Sequence, residues 1–177
     1  MAVVTVKSTA ISNRDAVPQV INDARIERGT LRVGKGSAAV GAADSIGSYY
    51  PMASVPSNVC IHGVLASAIA GMTLFAADIG VFKNRKDAGV DTGVEAFTGS
   101  AAFFGSAVSL ATVLSRSEQT NESLSNTVAK REQPLWQAIG LSADPMTTFD
   151  IGFKATAANT GAAGTIGLEV HYSDSGT

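Results

Sequence analysis

Thr148-Phe149-Asp150-Ile151-Gly152-Phe153-Lys154-Ala155 and, after a short link, Thr165-Ile166-Gly167-Leu168-Glu169-Val170-His171-Tyr172 decide how this chain folds. In each run every second residue is apolar: Phe149, Ile151, Phe153 and Ala155, then Ile166, Leu168, Val170 and Tyr172. Successive side chains of a strand point to opposite faces, so each run has one apolar and one polar face. The link from Thr156 to Gly164 contains only Thr, Ala, Asn and Gly, a composition suited to a surface turn. The two runs read as an antiparallel hairpin with one buried face.

Working outward, Ser142-Ala143-Asp144-Pro145 is a turn that delivers the chain into this pair. Before it, residues 134–139 read as a short helix, with Pro134 at its start and Gly140 just past its end. Further upstream the candidate strands are short. They are Thr30–Val33 and Ser37–Val40, interrupted by Gly34 and Gly36, then Asn58–Ala66 and Gly71–Phe82, then one or two within Ala96–Leu114. Tyr49-Tyr50-Pro51 reads as a loop, Lys83–Val94 as a polar loop and Ser115–Gln133 as a long surface excursion. About eight short strands with glycine-rich turns predict an all-β, jelly-roll-like sandwich of two antiparallel sheets. Residues 30–177 form that domain. Residues 1–29 are an extended N-terminal arm, within which Val17, Val20, Ile21 and Ala24 fall at the spacing of a helical turn.

The totals exclude several classes. The chain has 177 residues, enough for one domain with a real core. Its net charge is -2 and its thirteen Lys and Arg are scattered, whereas a protein that tracks phosphates needs a basic face. The single Cys60 forbids an intrachain disulfide and a cysteine-rich zinc site, and fits assembly in a reducing cytoplasm. Met1–Lys7 reads as an extended run too short for a signal-peptide core. Val59–Ala77 and Ala96–Ser115 lack charged residues, but they are built mostly of small residues and have no aromatic belt. They read as buried strands, and no membrane association is expected.

No residue cluster announces catalysis. Gly29–Gly36 follows the phosphate-loop pattern until Gly36 replaces its final Ser or Thr, and no amphipathic helix follows. Cys60 and His62 would share a strand face as a possible thiolate–imidazole pair, yet no orienting carboxylate lies nearby in sequence. The closest carboxylate pairs are Asp87 with Asp91 and Asp78 with Asp150, and neither has the pattern of an acid pair in a cleft. The chain reads as no enzyme, with no cofactor and no metal.

Gln133-Pro134-Leu135-Trp136-Gln137-Ala138-Ile139-Gly140-Leu141, then Phe149-Asp150-Ile151 and Gly164–Tyr172, resemble small virion proteins of tailed bacteriophages, among them capsid decoration (cement) proteins. Val55–His62 and Leu74–Phe82 are similar to the same pattern, so the resemblance covers about half of the chain. It implies a jelly-roll protein on the capsid exterior of a virion, assembled in the host cytoplasm. There it would bind the major capsid protein as a homo-oligomer, commonly a trimer, and stabilise the shell against internal DNA pressure. The N-terminal arm would then add partner contacts through Val3, Val4, Val6, Arg14, Val17, Arg25 and Arg28. Two alternatives stand beside it. One is a tail, neck or fibre-base component of the virion. The other is a non-viral carbohydrate-binding sandwich or small hydrolase, disfavoured because Trp136 reads as core and only three tyrosines remain.

Overall fold

The computed structural model describes residues 7–22, 29–69, 72–89, 93–120 and 125–174. The strands are β1 (Thr30–Val40), β2 (Tyr49–Pro56), β3 (Cys60–Ala68), β4 (Ala76–Lys83), β5 (Gly105–Ser109), β6 (Leu114–Glu118), β7 (Thr148–Ala157) and β8 (Gly164–Asp174). The short helices are α1 (Thr9–Arg14), α2 (Arg85–Ala88) and α3 (Leu135–Ala138). The strands form two four-stranded antiparallel sheets, ordered β1-β8-β3-β6 and β2-β7-β4-β5. Their pairing is nested: first with last, second with seventh, third with sixth, fourth with fifth. A long antiparallel ribbon rolled up on itself in this way is a jelly roll.

β7 and β8 do not form the hairpin that their sequence suggests. β7 lies between β2 and β4, while β8 lies between β1 and β3 in the opposite sheet. The apolar faces are as expected, but they meet across the core instead of lying side by side. Phe149, Ile151, Phe153 and Ala155 are buried from one sheet and Ile166, Leu168 and Val170 from the other, with half-buried Tyr172 packed against them. Alternation fixes which face is buried and carries no information about the hydrogen-bonded neighbour.

Three further readings change. Gly34 and Gly36 do not interrupt β1, because the strand needs them. A Cβ at Gly36 would lie 2.1 Å from the Met52 carbonyl oxygen, where β1 crosses close over β2. Tyr49-Tyr50-Pro51 opens β2, where Tyr50 turns inward to pack edge-on against Phe75 and a register shift follows Pro51. The stretch read as an excursion from Ser115 begins inside a strand, since Leu114–Glu118 is β6, an edge strand that is half-buried at most and therefore polar.

α3 confirms the short helix within a residue at each end. Its first N–H groups have no partner inside the helix. Those of Leu135 and Trp136 instead donate to the carbonyls of Val59 (2.8 Å) and Ser57 (3.0 Å), which ties the helix over the end of the sandwich. Leu135 is buried there and Trp136 half-buried. In the N-terminal segment the helical turn falls on Thr9–Arg14, upstream of the Val17–Ala24 set. Ser8 Oγ accepts from Ile11 N at its start, and Pro18, which lacks an N–H, follows its end.

Candidate functional site

Connections 41–48, 69–75, 110–113 and 158–163 emerge at one end of the sandwich. Asn159 knits three of them together from a position only 2% exposed. Its Nδ2 donates to the carbonyls of Gly41 and Ala162, each at 2.9 Å. Its Oδ1 accepts from Thr73 N (3.1 Å) and Gly161 N (3.0 Å), and its backbone N–H donates to the Asp44 carbonyl. Asp44 adds a second knot, since Oδ2 accepts from Tyr50 Oη at 2.6 Å and from Gly41 N at 2.7 Å. These bonds hold the Asp44 carboxyl below the usual carboxylate range, against a smaller opposing effect of burial. Burial first, and then the Asp44 carboxylate, push the Tyr50 hydroxyl far above its ordinary range.

This rigid end carries exposed aliphatic side chains on three connections: Ile46, Ile69, Leu74 and Val113. Leu74 is 69% exposed with a left-handed φ of 59°. Hydrogen bonds to Thr73 and Phe75 on either side fix that backbone and turn the side chain outward. A non-glycine residue in this region costs on the order of 1–2 kcal/mol, and such strain clusters at functional sites. Ile69, Val113, Leu114 and Thr165, with Ser37 and Ser67, line a predominantly apolar groove of about 500 Å³. The sequence hid this surface because its residues come from separate connections.

The residues assigned to the arm fall into two groups. Val3, Val4, Val6, Arg25 and Arg28 lie outside the described residues. Arg14 and Val17 lie inside them. Arg14 is exposed, and its Nε donates to Asp15 Oδ1 at 2.8 Å. Hydrogen bonds from Arg14 and then Lys7 lower the Asp15 pKa. Val17 is 98% exposed, beside Ile21 at 93% and half-exposed Val20.

The remaining candidates are accounted for structurally. Gly29–Gly36 runs along β1, and Lys35 pairs with Glu169 at 3.5 Å on the outer sheet face, so no phosphate loop exists there. Glu169 also meets Arg116 at 3.0 Å and His171 at 3.7 Å. Desolvation opposes ionisation of Glu169, but Arg116 and Lys35 outweigh it and lower the pKa. Cys60 is buried, its Sγ 3.8 Å from the Glu132 carbonyl, whereas His62 Nε2 lies 2.7 Å from Ser173 Oγ. A register shift between Ile61 and Gly63 separates the two along β3. Burial, and then the Arg131 guanidinium, lower the His62 pKa. Asp78 Oδ1 accepts from Ala107 N at 2.8 Å, a structural bond across the strand edge, and Asp91 lies outside the described residues. Among the described residues no group of three or more His, Cys, Asp and Glu gathers to hold a metal. No helix among them is long and apolar enough to cross a membrane.

The architecture is that of a jelly-roll sandwich with one loop end built as a rigid apolar surface. No family model matches the chain, and no curated protein matches it. A chain in the solved structure of the cyanophage Pam1 capsid asymmetric unit is similar, with 16% identity and a TM-score of 0.50. The match covers 82% of this chain and 85% of that one. Likeness at this identity is likeness of fold.

Proposed function

We propose that this chain is a virion structural protein of capsid decoration type. It binds the major capsid protein on the outside of a phage shell and reinforces the shell. The observation that carries the reading is the shared jelly roll: the similar chain belongs to a cyanophage capsid asymmetric unit. The match covers most of each chain, so the likeness extends over the sandwich as a whole. The resemblance of residues 133–172 to small phage virion proteins supports the same reading.

The mechanism is mechanical. The loop end offers apolar area through Ile46, Ile69, Leu74 and Val113, and the connections carrying Ile46, Ile69 and Leu74 are tied together by Asn159, which lowers the ordering cost of burying them. A standard contact of ~1,600 Å² per site suffices when an oligomer engages several sites together. The arm, with Val3, Val4, Val6, Arg14, Val17, Arg25 and Arg28, adds partner contacts. Heating DNA-filled capsids with and without the protein tests the reading. Bound protein should raise the temperature at which DNA escapes, and an unchanged release temperature at saturating protein would contradict it. Removing residues 1–29 should weaken capsid binding, and unaltered binding would exclude the arm.

A further inference from the structure

We infer that the outer edge of β1 binds an extended, acidic segment of the major capsid protein, which adds to the β1-β8-β3-β6 sheet as a further strand. The inference rests on the decoration reading and names what the shell contributes to the contact.

Each sheet ends in two edge strands, β1 and β6 in one, β2 and β5 in the other. An edge strand presents unpaired N–H and C=O groups, and proteins blunt such edges to keep other chains off. Here β2 carries Pro51 and Pro56, with a register shift after Pro51. β5 and β6 are five residues long, and each pairs with its neighbour through a register shift. Each also holds a residue at left-handed φ, Ala107 at 47° and Arg116 at 50°. β1 has none of these devices. It contains no proline and pairs with β8 through all 11 of its residues without a shift. Among the described residues, no backbone group of β1 is bonded to a connection. Every second residue of such an edge turns its N–H and C=O away from the sheet. Along β1 that row is roughly 36 Å long. An extended backbone is what matches it.

Side chains and charge select the occupant. Leu31 and Val33 are 62% and 46% exposed, so aliphatic side chains of an added strand find partners there. Arg32 pairs with Asp174 at 3.6 Å, while Lys35 and Arg116 share Glu169 at 3.5 and 3.0 Å. Three cations thus draw on two carboxylates, and β1 itself has no acidic residue. The β1 of a second copy would set like charges against each other. Residues 2–6 of this chain, Ala-Val-Val-Thr-Val, bring no acid either. A partner strand bearing Asp or Glu complements the edge. β1 also runs directly into connection 41–48, which carries Ile46, so the edge adjoins the loop end proposed to face the shell.

The test uses the full-length protein, free and bound to capsids, with amide hydrogen exchange read residue by residue. On binding, the alternate β1 amides turned away from β8 should exchange about tenfold more slowly, or slower still. Bound protein with unchanged β1 rates overturns this inference alone and leaves the decoration reading standing. Alternate β1 amides that are already slow in the free protein also overturn it, since the chain itself or a second copy then fills the edge. Protein that binds no capsids removes both readings. As a second measurement, Leu31→Glu/Lys35→Gln places an acid on the edge and removes a cation. Capsid affinity should fall by roughly tenfold, more steeply at low salt. The unfolding midpoint should match the parent's, because both side chains are exposed. Unaltered affinity in this variant overturns the inference.

Discussion

At the scale of single residues, the loop end depends on side chains that the sequence disguises. Asn159 sits in a run of Ala, Thr and Gly that reads as an exposed turn. Asparagine suits a turn whether it faces solvent or not, and only the folded chain shows it buried with four side-chain bonds. Replacing a buried, fully bonded amide strands its partners, each at about 1–3 kcal/mol where water cannot reach. Asn159→Ala is therefore expected to lose about 3 kcal/mol in urea unfolding. Asp44 gives a pH test. Its folded pKa lies below the unfolded value, so its contribution is present above the unfolded pKa and is lost as pH falls through the folded one. Stability should drop below about pH 4, and Asp44→Asn should flatten that part of the profile.

Elements were legible where one face is buried and the other is wet. The alternations at 149–155 and 166–172 revealed both central strands and their inward residues. Partnership was not legible, because facing strands of two sheets and paired strands of one sheet share the same pattern. β6 escaped notice for a different reason: an edge strand with no fully buried residue has no periodicity to read. In β1, Gly34 and Gly36 look like breaks, yet they let the strand pass over β2. β4 uses the same device at Gly80, where a Cβ would stand 2.1 Å from the carbonyl oxygens of Ser100 and Ala101. Gly80→Ala should therefore cost about 3 kcal/mol by calorimetry, through forced displacement of the 3-10 turn at Ser100–Ala102. Removing residues 1–22, by contrast, should leave the melting temperature within a degree or two, because the described part of that segment contributes nothing to the core.

For the whole molecule, nested pairing brings the first strand against the last, so most stabilising contacts join distant parts of the chain. Loop-closure entropy must be overcome before those contacts form, and refolding by stopped flow should fall in the millisecond-to-second range. The class of sandwich was legible in strand count and turn composition. The apolar loop end was not, since Ile46, Ile69, Leu74 and Val113 become neighbours at one end only once the ribbon rolls up. The reading of that end as a docking surface leads to a direct measurement: sedimentation of capsids assembled without this protein, mixed with increasing amounts of it, with bound copies counted. The account predicts co-sedimentation that saturates at a fixed number of copies per capsid. Protein that stays in the supernatant at every concentration would contradict it.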